Sequence, residues 1–222
     1  MEFAVNPIAR SDLSRVNLRC LPDGGRIEKL FDQQGTIGIA AWENGKCVGT
    51  LWFYAVAAPD FTNLCCHPLG GWRETDWKTP LLRGALASDK GKCLGLSCFH
   101  VGRTMQTVQS DQPDPSYFGK GIGRALCQEA LTFARKSSLS AVLAHGAPHQ
   151  IRSYAVWAGQ LPTTAYQKLG FRILQRVPYS QRHERTDVWD CPPFVHEEIE
   201  QALANGIPEE QIAISLVTRE FS

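Results

Sequence analysis

Tyr117-Phe118-Gly119-Lys120-Gly121-Ile122-Gly123-Arg124 runs without a break into Ala125-Leu126-Cys127-Gln128-Glu129-Ala130-Leu131. Glycines at alternate positions lead into a helical pattern. Ile122, Leu126, Ala130 and Phe133 recur at helical spacing, so a helix begins at or near Ile122. Gly121 and Gly123 can take dihedrals barred to other residues, and they let a ligand approach the backbone. The first N–H groups of the helix have no partner within it, and its dipole is positive at that end. A glycine loop feeding a helix N-terminus is a phosphate-binding device. Lys120 and Arg124 add positive charge beside it.

Two familiar phosphate loops do not fit. Gly-x-x-x-x-Gly-Lys-[Ser/Thr] is absent, which argues against a nucleoside triphosphatase. Arg124 stands where the third glycine of the dinucleotide fingerprint belongs. A bare strand-to-helix turn without ligand is the remaining plain reading, and the surrounding elements bear on it.

Residues 2–6 read as a short strand. Ser11 or Asp12 can cap a helix running to about Cys20, and a second short helix spans about Arg26 to Gln33. Thr36 to Trp42 and Cys47 to Ala55 form strands joined through Asn44-Gly45, the strongest short hairpin signal. Residues 58–92 look irregular, broken by Pro59, Pro68, Gly70-Gly71, Pro80 and Gly84, with a short helix at Leu81 to Ala87. Leu94 to Val101 is a near-continuous apolar run, as in a central strand buried on both faces. A polar connection from Gly102 to Ser116 precedes the glycine loop, whose helix ends near Ser137. Ala141 to Ala144 is a strand, Ile151 to Ala158 a helix, and Gly159 breaks it. Pro162 opens another helix running to Lys168, Gly170 ends it, and Phe171 to Val177 is a strand. A charged loop at 178–192, a helix at Val195 to Ala204 and a strand at Ile212 to Thr218 complete the chain. The order predicts an α/β (α+β) fold: a mixed, mostly antiparallel central sheet flanked by helices. Residues 1–222 read as one domain, with an irregular insertion at about 58–92 and a helix–strand extension at about 178–222.

Gly119-Lys120-Gly121-Ile122-Gly123-Arg124-Ala125-Leu126, followed by Tyr166-Gln167-Lys168-Leu169-Gly170-Phe171, resembles the GCN5-related N-acetyltransferase (GNAT) superfamily. The first segment looks like that family's pyrophosphate loop and helix, and the second like its Tyr-x-Lys-x-Gly-Phe signature. The resemblance covers roughly residues 35–176. It departs at Phe118, where the family usually opens the loop with Arg or Gln. Gly159 and Pro162 stand where Asn and Ala commonly precede the signature tyrosine. The connection from Gly102 to Ser116 is longer than usual.

The resemblance implies acetyl-CoA as cosubstrate, no metal, and direct transfer to the primary amine of a small-molecule or peptide acceptor in a ternary complex. It implies cofactor contacts from Phe99, Val101, Phe118, Gly119, Lys120, Gly121, Ile122, Gly123, Arg124 and Lys168. The end of the strand, Phe99-His100-Val101, would pair with the pantetheine arm, and an N–H near Val101 would polarise the thioester carbonyl. Tyr166 would protonate the departing thiolate, the alternative being that it only packs against Phe171. His100 is the candidate base, because histidine titrates in the right range. Asp111, Asp114 and His145 are rivals, and so is a water chain. Trp72, Trp77, Tyr154 and Trp157 can line an acceptor pocket or pack in the core. Glu28, Asp32 and Asp76 can meet a cationic amine or simply be solvated. A catalytically weak CoA-binding sensor is the alternative of another class.

Composition sets the remaining bounds. The chain has 222 residues, is 43% hydrophobic and carries a formal charge of +1. So small a net charge argues against bulk binding to nucleic acid or membrane. Its opening residues lack a basic region and an apolar core, so the expectation is a cytoplasmic protein. A homodimer is a further expectation from the resemblance. The eight cysteines contain no Cys-x-x-Cys pair, so reduced thiols are expected. Cys127 should pack as a small hydrophobe. Cys65-Cys66-His67 resembles half a metal site, for which no convincing four-ligand set can be assembled. A metal or redox role for the cysteines is the third reading.

Overall fold

The computed structural model describes residues 2–18, 20, 24–57, 63–66, 72–75, 92–105, 112–184 and 189–221. The Asn44-Gly45 pair makes the expected tight hairpin, with φ of 50° and 75° at the two residues. It joins β2 (Gly38–Glu43) to β3 (Lys46–Ala57). Positive φ at both positions matches the right-handed twist of the flanking strands. Around this hairpin grows a seven-stranded sheet in the order β1-β2-β3-β6-β7-β9-β8. Its other members are β1 (Ala4–Pro7), β6 (Lys92–Val101), β7 (Ala141–Gly146), β8 (Arg172–Pro178) and β9 (Ala213–Glu220). All neighbouring pairs are antiparallel except β6 with β7. The mixed sheet predicted from the element order is the one observed, and β9 inserts between β7 and β8.

The helix after the glycine loop, α2 (Ile122–Lys136), follows α1 (Gly24–Gln34) in the chain. It buries Ile122, Leu126, Cys127, Ala130, Leu131 and Ala134. These residues cover one sheet face together with Tyr166, Leu169 and Phe171. A buried leucine such as Leu126 contributes about 2–5 kcal/mol against alanine. The opposite face carries two clusters. At one end Ile27 and Phe31 of α1 pack on Trp52 and Cys98. At the other, α3 (Arg152–Ala158) and α5 (Pro193–Ala204) pack on Leu143, Ile214 and Leu216. The intervening helix α4 (Thr163–Lys168) carries the Tyr166 signature.

Two features of β6 position the site. First, its register with β3 moves from Phe53↔Leu96 to Leu51↔Phe99, so β6 carries one extra residue there. This bulge inverts the alternation of faces beyond it. Phe99 therefore joins Leu94 and Leu96 in the α2-side cluster, while Cys98 packs with Trp52 on the other side. Second, β6 pairs with β7 only at Cys93↔Ala141, Leu94↔Val142 and Gly95↔Leu143. Beyond Gly95 the two parallel strands part.

Three local expectations are corrected. Ser11 and Asp12 begin no α-helix: Arg10–Asp12 is a single 3-10 turn, its entry closed by the Asp12 carboxylate accepting from Ala9 N–H at 3.0 Å. The stretch 58–92 is not wholly irregular, because β4 (Asn63–Cys66) pairs with β5 (Trp72–Thr75) as a separate antiparallel hairpin. The 178–192 loop contains a 3-10 turn at Tyr179–Gln181. The helix expected at Leu81 to Ala87, with His67, Asp76, Trp77 and Asp111, lies outside the described residues.

Candidate active site

The glycine loop has the geometry its sequence requires. Gly119 and Gly121 have φ of 74° and 79°, and Gly121 is the N-cap of α2. That left-handed conformation is costly for any residue with a Cβ. A β-carbon at either glycine would meet nothing within 4 Å, so the loop backbone stands open to a ligand.

A cavity of about 660 Å³ lies against this loop. Its lining includes Phe118, Gly119, Gly121, Ile122, Gly123 and Arg124, and also Phe99, His100 and Val101 at the end of β6. The sequence-predicted cofactor residues thus converge from two distant segments. Two of them do not join the lining. Lys168 is exposed at the end of α4, and Lys120 is exposed with its ammonium over the Tyr117 ring at 5.3 Å. Positive charge comes instead from Arg103, Arg124 and Arg152, and no carboxylate among the described residues lines this cavity. Arg103 and Arg152 belong to no motif, and no periodicity in the sequence marks them. Arg152 sits over the Phe118 ring, guanidinium to centroid 5.7 Å. The charge absent from the loop opening is therefore brought in by another helix.

The parted strand edge is spanned by the segment between β7 and α4. Ala147 N–H donates to the Leu161 carbonyl and Thr163 N–H to the Ala147 carbonyl, each at 2.9 Å. These bonds close the base of a loop carrying α3. Gly159, at φ 60°, ends α3 and accepts a hydrogen bond from Phe99 N–H at 2.7 Å. A β-carbon there would lie 3.0 Å from the Phe99 carbonyl oxygen and 3.1 Å from Cys98 Sγ, so the close approach needs glycine. Gly102 N–H bonds back to Val48 on β3 at 2.9 Å. Alternation along the strand then turns the Val101 N–H away from β3, toward the cleft.

A second cavity of about 740 Å³ adjoins the first and shares Phe99, His100, Arg103, Phe118 and Arg152 with it. Its remaining wall includes Cys20, Cys98, Trp157, Phe194 and Glu198. Both cavities are of ligand size. His100 is 4% exposed, lies where they meet, and has no hydrogen-bond partner on either ring nitrogen. Gln160 Oε1 in the first cavity and Trp157 Nε1 in the second are likewise buried without a partner. Buried polar atoms are ordinarily satisfied, so these are groups a ligand would complete. The glycine cradle, the arginines and Gln160 suit a long anionic ligand with amide groups.

Tyr166 packs beneath the cleft. It is 1% exposed, packs edge-on against Phe171 with centroids 5.0 Å apart and against Phe99 at 6.4 Å, and lines neither cavity. Burial pushes its phenol well above the usual tyrosine range, and the Leu161 backbone hydrogen-bonds it. It is protonated at neutral pH.

Among the rival bases, Asp114 caps the 3-10 turn at Pro115–Tyr117, its Oδ1 accepting from Ser116 N–H at 2.9 Å. His145 is buried in β7 opposite Leu216 and lines neither cavity. Glu28 and Asp32 pair with Arg10 on the surface. Tyr154 is buried against Trp157 and Trp189, both at 5.6 Å. Of the four aromatics named as pocket candidates, Trp157 is the one that lines the second cavity among the described side chains.

The family model for the acetyltransferase (GNAT) family matches residues 7–160. The chain belongs to the GNAT family. No curated protein matches it. Solved GNAT structures share the fold. The crystal structure of Arabidopsis thaliana NAA60 in complex with acetyl-CoA is 13% identical, with a TM-score of 0.50 and coverage of 99% of this chain and 100% of that one. An agmatine N-acetyltransferase variant in its apo form is 15% identical, with a TM-score of 0.54 and the same coverage. The NatC complex bound to Gag peptide and CoA is 9% identical, with a TM-score of 0.50 and full coverage of both chains. In this GNAT chain the matched span takes in the glycine loop and α2 and ends before Tyr166, and the segment carrying α3 separates β7 from α4. No helix among the described residues is long and apolar enough to cross a membrane.

Proposed function

We propose that this GNAT chain transfers the acetyl group of acetyl-CoA to the primary amine of a small-molecule or peptide acceptor. The observation that carries the reading is the meeting of two cavities at Phe99–His100, one built on the glycine loop and helix N-terminus with Arg124, the other walled by Cys98, Trp157, Phe194 and Glu198, with Arg103 and Arg152 on the wall between them. Acetyl-CoA enters the first, with its pyrophosphate on the amides of Gly119 to Arg124. Arg103, Arg124 and Arg152 neutralise its phosphates. The Val101 N–H is the donor for the thioester oxygen. The acceptor amine approaches from the second cavity. Its nitrogen bonds to the acetyl carbon as the carbon–sulfur bond breaks. His100 takes the amine proton, and the departing thiolate takes one from Tyr166, which packs behind Phe99 of the cavity wall and reaches the cleft only when that ring moves, so charge is balanced at both ends. The name of the agmatine N-acetyltransferase and the peptide bound in the NatC complex, both cited above, support amine acceptors of either size.

Calorimetric titration with acetyl-CoA, followed by CoA-thiol release over a panel of amines, tests this. Binding with turnover is expected. General acid or base groups contribute about 100- to 10,000-fold, so His100→Gln and Tyr166→Phe should each cut kcat by at least 100-fold while acetyl-CoA binding persists. No binding at millimolar acetyl-CoA would overturn the proposal.

A regulatory CoA-binding module is the second reading. The burial of Tyr166 under Leu161 and the Phe99 N–H already bonded to Gly159 favour it. Binding without turnover, unchanged by Tyr166→Phe, is its signature.

A further inference from the structure

Cys98 lies in the β6 bulge and His100 just beyond it, and both line the acceptor-side cavity together with Cys20. The two sulfurs and a ring nitrogen of His100 all lie within 4.8 Å of one another. We propose that Cys20, Cys98 and His100 form a three-ligand site for a soft cation, Zn²⁺ in the first instance, with its fourth position open to that cavity. This departs from the expectation of no metal, and it involves residues other than Cys65-Cys66-His67.

The chemistry fits in four respects. Zinc takes sulfur at about 2.3 Å and imidazole nitrogen at about 2.0–2.1 Å, which in a tetrahedron sets ligand atoms roughly 3.5–3.8 Å apart. A contraction of about 1 Å, within side-chain rotation, closes the site. Second, His100 is 4% exposed and neither ring nitrogen has a hydrogen bond. A buried imidazole without partners is costly, and coordination satisfies it. Third, two thiolates and a neutral imidazole balance the dication, so the buried site is neutral when loaded, and the two thiol protons leave to solvent. Fourth, the position is specific. Cys191 Sγ also lies near an imidazole, 3.4 Å from His196 Nε2, but Tyr179 OH already engages that ring at 3.0 Å and no third ligand joins them among the described residues.

Loaded with zinc, His100 loses the lone pair that the acetyl-transfer reading assigns to the amine proton. The site therefore acts as an inhibitory metal switch, a consequence that rests on that reading, whereas the metal site itself does not. The test is direct binding to the reduced full-length chain. Zn²⁺ competition against a chromogenic chelator should give one ion per chain, and Co²⁺ should give a thiolate-to-cobalt charge-transfer band. Loss of an outer-shell partner alone weakens metal sites about 10- to 100-fold, so Cys20→Ser and Cys98→Ser should each weaken binding more than about 100-fold. Cys191→Ser should change neither stoichiometry nor spectrum. Thermal melting monitors folding, and Cys20, half-buried at the rim, provides the informative variant should Cys98→Ser not fold. Absence of stoichiometric zinc, or binding that survives Cys20→Ser, overturns the proposal. Zinc binding without inhibition of acetyl transfer would refute the switch while leaving the site.

Discussion

Arg152 holds its guanidinium over the Phe118 ring, on the wall shared by both cavities. On the proposed reading, two side chains from different elements take the place of one polar residue at the loop opening. Phe118 provides the platform and Arg152 the charge. A hydrogen bond to a charged group contributes about 1.5–3 kcal/mol. Arg152→Ala should therefore raise the Kd for acetyl-CoA by roughly tenfold or more, with a shallower salt dependence. Lys120→Ala should change it by less than about threefold, because an exposed cation contributes about 0–1 kcal/mol. Calorimetry at two ionic strengths checks both. Equal losses would mean that the charge resides in the loop. Cys127 packs in the core as the small hydrophobe expected of it, and burial pushes Cys127 and Cys93 up to about 12 and Cys47 up to about 11. Thiols so shifted are inert packing groups.

At the scale of elements, the loop and α2 act as one unit. Gly121 has φ 79°, and proline is confined near −65°, so Gly121→Pro cannot keep the loop. It should abolish acetyl-CoA binding. Gly121→Ala meets no neighbouring atom and bears only the left-handed strain, about 1–2 kcal/mol. It should weaken binding roughly tenfold and leave the melting temperature within a few degrees. Titration calorimetry beside thermal melting separates the two effects, and unchanged binding in Gly121→Pro would remove the loop from the site. The β6 bulge is the second such unit. It carries no sequence signature, yet it decides which face His100 occupies.

At the scale of the molecule, the C-terminal helix closes the cleft from a distance. Glu198 of α5 accepts from the N–H groups of Arg152 at 2.8 Å and Ser153 at 2.7 Å, capping α3 where it faces both cavities. Burial pushes its carboxyl up, but hydrogen bonds from Ser153 and then Arg152 outweigh this and hold it below the usual range. A carboxyl lowered in the folded state stabilises above its unfolded pKa and loses that contribution as pH falls through the folded value. Glu198→Ala should therefore cost about 1 kcal/mol at pH 7, as losing a helix cap does. The gap in urea midpoint should narrow below about pH 4, where the unfolded carboxyl is already protonated. A gap independent of pH would show that the carboxylate does not hold α3. The local signals were sufficient for much of this protein. The Asn44-Gly45 turn, the apolar run of β6, the glycines before α2 and Gly170 after α4 each specify backbone conformation through neighbours in the chain. They determined the element order, the mixed sheet, the phosphate-type loop and its family. Arg103 and Arg152 of the cleft, the Glu198 cap, the burial of Tyr166 and the meeting of Cys20 with Cys98 and His100 were decided only in three dimensions. Each depends on a contact between residues tens of positions apart, or on a one-residue bulge that reverses which side of a strand a side chain faces, and neither leaves a periodicity to read.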